Sequence, residues 1–326
     1  MKKPGTEISV IAPMYNEEKV IANSINAFID YLDSLNRSYE LIIVNDGSTD
    51  NSLKIAKNLE SEYPNLKVVT YDRNRGRGYA LREGIKNSEG KYVVTTESDL
   101  NWGAEIIGRM TDTLIKTGAD IVIASPHMKG GKLENVPKHR AWLSSFGNRI
   151  LRLAVKSKIH MVTGMTRAYA GDKIRKLHLE ENGKEIHLEI IAKGELMDYS
   201  ITEIPAILKW PDKKKGKGSK TRRKSSFKVW NLIKSHLLFA TNEAPILLFG
   251  GIGGLLIIIG LMILFNLSWV FFIKNEIIGD RIITILSMVF LILSGGIILL
   301  VSFLSYQIRD VKKEIIKLKQ MIHEQS

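Results

Sequence analysis

Ile8-Ser9-Val10-Ile11-Ala12-Pro13-Met14-Tyr15-Asn16-Glu17-Glu18 lies near the start of this chain. Its first five residues are a short, mostly apolar run of the length of a buried strand, and Pro13 and Asn16 mark a loop and the approach to a helix. Val20, Ile21, Ile25, Phe28, Ile29 and Leu32 then recur at helical spacing. The same unit repeats downstream. Residues 41–44 read as a second buried strand closed by Asn45-Asp46-Gly47-Ser48, with Ser48 or Asp50 placed to cap a following helix. Residues 67–71 form a third strand, 80–86 a helix after a Gly-rich turn, 91–95 a fourth strand and 121–124 a fifth. Strands alternating with helices predict an α/β fold, Rossmann-like, with a mainly parallel sheet covered by helices on both faces. Ligands of such sheets sit beyond the carboxyl ends of the strands.

The 326 residues are 44% hydrophobic, enough for a sizeable core, and the apolar residues are unevenly placed. Residues 244–273 and 282–308 contain no Asp, Glu, Lys or Arg, and each run exceeds the roughly 20 residues that cross a hydrocarbon core. Setting this hairpin aside leaves roughly 240 residues, the size of one large α/β domain. Lys2 and Lys3 precede an apolar run that Pro13 and Asn16 interrupt, which does not read as a secretory signal. There is no cysteine, so disulfides, thiolate metal sites and cysteine nucleophiles are excluded.

The net charge of +13 concentrates beside the hairpin. Lys213, Lys214, Lys215, Lys217, Lys220, Arg222, Arg223, Lys224 and Lys228 lie between Lys209 and Lys234, with Asp212 the only acid among them. Bases just before a membrane span suit anionic lipid headgroups, at about 1 kcal/mol each. Nucleic acid is disfavoured because the aromatics are not interleaved as stacking platforms. The loop at 274–281 has two bases and two acids, whereas Arg309, Lys312, Lys313, Lys317 and Lys319 follow the second run. The positive-inside tendency makes this a multi-pass cell-membrane protein with both flanks cytoplasmic. The expected organisation is a cytosolic catalytic domain over 1–208, a basic juxtamembrane segment with an interfacial helix over 209–241, two transmembrane helices over 242–308, and a cytosolic amphipathic tail helix over 309–326. A further amphipathic helix is expected over 140–158. In the tail, Ile308, Val311, Ile315, Leu318 and Ile322 alternate in steps of three and four, a spacing that suits self-association into a homo-oligomer.

Three strand ends carry polar groups: Pro13 to Glu18 after the first, Asn45 to Ser48 after the second, and Glu97-Ser98-Asp99-Leu100-Asn101 after the fourth. Two carboxylates two residues apart at a strand end are a natural seat for a hard divalent cation such as Mg2+ or Mn2+, whose remaining ligands are substrate phosphate oxygens and water. An isolated copy of the pair equally suits a solvated turn. Asn74-Arg75-Gly76-Arg77-Gly78 lacks the third glycine and the early position of a dinucleotide fingerprint, which disfavours NAD.

Taken in order, residues 8–17, 42–50 and 74–78 and the Glu97-Ser98-Asp99 triplet resemble the successive signatures of the inverting family-two glycosyltransferases with the A-type nucleotide-sugar fold. Within that family the chain looks most like the dolichyl- and polyprenyl-phosphate sugar synthases. Lys129-Gly130-Gly131-Lys132 followed by Pro137-Lys138-His139-Arg140 resembles their acceptor loop, and Thr163-Gly164-Met165-Thr166-Arg167-Ala168-Tyr169 stands where they carry a T-S-G-F-R-type segment. The resemblance implies that Pro13, Tyr15, Glu17, Asp46, Glu97 and Ser98 hold the nucleotide sugar, and that Glu97, Asp99 and Asn101 hold the cation. It implies that Lys129, Arg140 and Arg167 meet the acceptor phosphate, with Asp99, Arg140 and Arg167 the catalytic set. The chain departs from the pattern at Glu97, where the family has Asp, and at Pro126, where an Arg is common, with His127 and Lys129 as substitutes.

A hydroxyl acceptor needs a general base. A phosphate monoester, with its second pKa near 6, is already mostly a dianion at neutral pH and needs cations to position it. Residues 163–169 contain no carboxylate, and the Q-x-x-R-W motif of relatives that build polysaccharides does not occur, which agrees with the dolichyl or polyprenyl phosphate acceptor that the resemblance implies. Elongation of a lipid-linked glycan at a hydroxyl, with Glu185 or Glu189 as base, is the rival reading; a non-catalytic nucleotide-sugar binder is the third.

Overall fold

The structure is a computed structural model, and it describes residues 5–137, 148, 159–210, 249–273 and 281–325. Arg140, most of the amphipathic stretch at 140–158, the basic segment from 211 onward and the loop at 274–280 lie outside the described residues. The chain divides into two units, Met1–Arg223 with Lys317–Ser326, and Lys224–Ile316.

The first unit is built on a seven-stranded sheet. Its strands are β1 (Ile8–Met14), β2 (Tyr39–Asn45), β3 (Leu66–Thr70), β4 (Tyr92–Thr95), β5 (Ile121–Ser125), β7 (Arg167–Ala170) and β8 (Ile201–Pro205), in the order β3-β2-β1-β4-β7-β5-β8. β1 and β5 are buried almost throughout, as expected of strands covered on both faces. Ile8, Val10, Ala12 and Met14 point to one core, shared with Ile21, Ile25, Phe28 and Leu32 of α1 (Ile21–Ser34) and Ile106, Met110 and Leu114 of α4 (Ile106–Thr117). Ile11, one residue out of phase, points to the other face, where a Cβ on Gly84 of α3 (Arg77–Lys86) would stand 2.3 Å from its Cγ2. α2 (Ser52–Glu62), α5 (Gly171–Lys176) and α6 (Ile186–Leu196) complete the helices of this unit. β6 (Lys132–Glu134) and β9 (Ile207–Lys209) make a separate two-stranded parallel sheet.

The five expected strands and their parallel start are present: β1 pairs in parallel with β2 and β4, and β2 with β3. One departure matters for the site. β7 enters antiparallel between β4 and β5, Arg167 lying opposite both Thr95 and Ile123. The motif quoted above as Thr163 to Tyr169 thus runs into an internal strand, and the residues before that strand emerge at the carboxyl edge of β4 and β5.

The second unit contains α7 (Gly251–Phe272) and the apolar part of α8 (Ile282–Gln325), two helices long and apolar enough to cross a membrane. The tail, expected as a separate helix, continues the second apolar run in one helix of 44 residues. No Gly or Pro follows Gly296, so nothing in the sequence breaks it. The two helices touch backbone to backbone. A Cβ on Gly253 would lie 2.8 Å from the carbonyl of Gly295, one on Gly295 2.7 Å from that of Gly253, and one on Gly260 2.6 Å from Ile292 Cγ1. Small residues at such crossings allow the close approach that packs helices in lipid. Gly295→Leu is expected to cost about 1–3 kcal/mol, seen as a lower melting temperature of the full chain in detergent. Gly254→Leu, a position with nothing within 4 Å, serves as the control that should not move it.

Candidate active site

The loops after β1 and β2 are laced together by short polar side chains. Ser48 Oγ accepts from Asn16 N at 3.0 Å, Asn16 Oδ1 from Thr49 N at 2.8 Å, and Ser52 Oγ from Glu17 N at 2.7 Å. Asp50 accepts from Glu18 N at 3.2 Å, and Glu18 in turn from Asn51 N at 3.2 Å. This reciprocal pattern explains why both segments are rich in Asn, Ser, Thr and acids: each caps the backbone of the other. Asn16 holds a positive φ of 56°, which Asn tolerates better than most side chains. The strand ends themselves are aligned, with Asp46 N donating to Met14 O at 2.9 Å and Thr96 N to Ile11 O at 3.0 Å.

Asp46, buried at the end of β2, faces the Gly-rich turn. Its carboxylate accepts from Arg75 N at 2.7 Å, Gly76 N at 3.1 Å and the Tyr71 hydroxyl at 2.8 Å. Burial, and then the bond to Asp46, push the Tyr71 hydroxyl pKa well up, so it stays a donor. Gly47 next to it has a φ of 63°, and a Cβ there would stand 2.3 Å from the Arg73 carbonyl carbon. Gly76 and Gly78 are required for a different contact, because a Cβ on either would lie within 2.5 Å of the backbone at Asn182 and Glu181. Asp46 is thus the organiser of the 71–78 turn, with the Arg75 guanidinium 4.8 Å over the Tyr79 ring beside it. The resemblance assigns Asp46 to the nucleotide itself; in the structure its carboxylate accepts from the turn, mostly through Oδ1.

The carboxylates after β4 are gathered in one place. Asp99 accepts from Asn101 N at 3.2 Å and also from the Asn101 side-chain amide. Glu97, half-buried, lies 3.8 Å from Arg77 Nη1 and accepts from the Trp102 side chain. Loss of water and then the charge of Asp99 hold Glu97 above the ordinary carboxylate range, with Arg77 opposing and Glu17 adding to the effect. Asp99 is also raised by partial loss of water, against the backbone N–H of Asn101 and the charge of Arg77. The charged forms of Glu97 and Asp99 are therefore both penalised, Glu97 in the field of Asp99 and Glu17. A positive ion would relieve that penalty. Two carboxylates and an amide oxygen suit a hard, oxygen-liganded Mg2+ or Mn2+, with phosphate and water completing the shell. Among the described residues no group of three or more His, Cys, Asp or Glu side chains is placed to hold a metal ion by itself.

Tyr15 is 45% exposed and Pro13 partly buried at the end of β1, while Ser98 is buried between the two acids. Lys129 is exposed in the loop after β5. Arg167 is placed elsewhere than the resemblance implies. It is fully buried, and its guanidinium donates to the carbonyls of Val162 at 2.6 Å and His187 at 2.7 Å. It holds the segment before β7 against α6. Glu189, one of the two candidate bases, is also committed: it accepts from Glu180 N at 2.8 Å, Glu181 N at 2.9 Å and Lys193 Nζ at 2.7 Å. Arg77, Tyr71 and Trp102 were not legible as site residues. Arg77 had a signal in its place within the Gly-rich turn; Tyr71 and Trp102 had none, being aromatic residues beside strand ends.

The family model for Glycosyl transferase family 2 matches residues 9–178. A dolichol-phosphate mannosyltransferase of Pyrococcus furiosus is 32% identical over 202 residues, covering 61% of this chain and 55% of that protein. An uncharacterized glycosyltransferase of Synechocystis is 34% identical over 126 residues, covering 39% of each. The chain thus spans about half the length, or less, of these curated relatives. Among solved structures, glucosyl-3-phosphoglycerate synthase from Mycobacterium tuberculosis, in complex with Mn2+ and uridine-diphosphate-glucose, superposes with a TM-score of 0.54 at 17% identity, covering 72% of this chain and 79% of that one. At that identity the likeness speaks to the fold alone.

Proposed function

The chain belongs to glycosyl transferase family 2, and from that premise we propose that it moves a hexose from a GDP- or UDP-linked nucleotide sugar to dolichyl or polyprenyl phosphate, with inversion. The observation that carries this reading is the gathering of Glu97, Asp99 and Asn101 at the carboxyl end of β4, beside Arg77 and the β1 loop. Three further features agree with it. The Pyrococcus relative is named for a dolichol-phosphate acceptor. Two helices are long and apolar enough to anchor the chain in a membrane. Glu189 is tied into its own helix and turn, so it has little capacity left to serve as the base a hydroxyl acceptor needs.

In this reading the sugar is displaced directly at its anomeric carbon by an already ionised phosphate. Glu97, Asp99 and Asn101 would hold a divalent cation, which supplies charge neutralisation for the departing nucleoside diphosphate. Arg77 adds a fixed positive charge on the same side. Asp46 keeps the 71–78 turn in place to bound the nucleotide, and Tyr15 and Pro13 bound it from the β1 side. Arg140, Lys129 and the lysines of the basic segment would draw the lipid phosphate and neighbouring anionic lipids. The catalytic unit and the C-terminus would lie on the cytoplasmic side.

The test is to incubate the purified full chain with a panel of GDP- and UDP-sugars, Mg2+ or Mn2+ and polyprenyl phosphate, and to identify the product by mass. A glycolipid carrying one hexose on phosphate, formed only with a divalent cation, is the expected result. Turnover confined to hydroxyl acceptors would overturn the choice of acceptor, and binding of nucleotide sugar without turnover or hydrolysis would overturn the enzyme.

A further inference from the structure

A second titratable group stands on the same edge of the sheet, away from Glu97 and Asp99. The side chain of Glu203, in β8, is only 6% exposed. Its carboxylate accepts from the backbone N–H groups of His160 and Met161, each at 2.7 Å, and lies 2.8 Å from Nδ1 of the His160 ring. A carboxylate that takes two N–H donors acts here as an acceptor, so the ring nitrogen facing it carries a proton. Nδ1 is therefore the protonated position, and Nε2 is the working atom of a ring that remains 40% exposed.

Other charges face this pair from each neighbouring element. His127 reaches it from the loop after β5, and Arg167 from β7 acts on Glu203 from inside the sheet. Burial holds the pKa of His127 below the ordinary imidazole value, with Glu203 opposing and His160 reinforcing that effect. The position is as specific as the pairing. Glu203 lies opposite Ile123, two residues from the end of β5, and β7 separates β5 from β4. Three strand spacings, roughly 14 Å, thus divide the line of Glu97 and Asp99 from the line of Glu203. That offset leaves room for a sugar between a diphosphate held at one place and an acceptor held at the other.

We propose that His160, oriented by Glu203 and flanked by His127, is a binding residue for the acceptor phosphate, to which its Nε2–H donates. The proposal rests on the reading of the chain as a lipid-phosphate glycosyltransferase. Donation to a phosphate dianion is a charge-assisted hydrogen bond, stronger than one between neutral groups. The Glu203 bond keeps the ring fixed, which separates this role from that of a flexible surface histidine.

The test uses the full chain in nanodiscs with the nucleotide sugar that supports turnover. In His160→Gln, the KM for polyprenyl phosphate should rise about ten- to a hundredfold, the range expected on losing one charged hydrogen bond. The KM for nucleotide sugar and the melting temperature should hold. His127→Gln, which leaves the Glu203 pairing intact, should weaken acceptor binding by a smaller factor. An unchanged acceptor KM in folded His160→Gln overturns the proposal, as does a loss confined to kcat. Direct binding of polyprenyl phosphate, measured without nucleotide sugar, separates the two readings. If the wild-type chain and His160→Gln bind it equally, only this proposal fails; if the wild-type chain does not bind it, the lipid-phosphate reading fails as well.

Discussion

Asp99→Asn should lower sugar transfer by about 10^3-fold while leaving the melting temperature within about 2 °C. Asn has the same shape and can still accept from Asn101, so the turn after β4 is kept. It does not carry the charge that, with Glu97, would bring a divalent cation to the departing diphosphate. The loss should therefore appear in kcat and in Mn2+ affinity together, the second read by titration of the ion against the purified protein. The two acids are half of a shared field with Arg77 and Glu17, so removing one charge also lowers the Glu97 pKa toward its ordinary value. Full turnover in the variant would remove Asp99 from the chemistry and with it the observation on which the proposed function stands.

Asp46→Ala should cost about 3 kcal/mol of stability and abolish nucleotide-sugar binding. The substitution strands two backbone N–H groups and a phenol, at Arg75, Gly76 and Tyr71, in a place where water has little access. The 71–78 turn packs in turn on the backbone at 181–183, so the damage should spread to that segment. Thermal denaturation and nucleotide-sugar titration are the two measurements. A stable variant with weakened nucleotide affinity would instead place Asp46 in direct contact with the ligand, the role that the family resemblance assigns to it.

Much of this arrangement was legible in the sequence, because it depends on local signals. β1 to β5 announce themselves as short apolar runs ended by Pro, Asn, Asp or Gly, and parallel pairing follows from the helices between them. Glu97, Asp99 and Asn101 come together because they are neighbours on one turn. What the sequence concealed depends on contacts between distant residues. Nothing in Arg167-Ala168-Tyr169-Ala170 distinguishes an internal antiparallel strand from a loop, because its direction is set by the strands on either side. Arg167 reads as a ligand-binding cation, yet its partners are backbone carbonyls 5 and 20 residues away, which no motif reveals. The Glu203–His160 pair spans 43 residues and has no spacing signature. The merging of the second apolar run with the tail follows from the lack of a helix breaker after Gly296 and was missed because the charge pattern changes there while the helical pattern does not.

The antiparallel strand between β4 and β5 also dictates the order in which this molecule is able to assemble. β3, β2, β1 and β4 are complete by residue 95, but β4 meets β5 only through β7, which arrives some seventy residues later in synthesis. Until Ala170 has left the ribosome, β4 is an uncapped hydrogen-bonding margin, the kind of margin on which nascent chains stick to one another. The half-made chain, with this margin open, is therefore the state most prone to stick to another copy, and β7 is the keystone that ends that exposure.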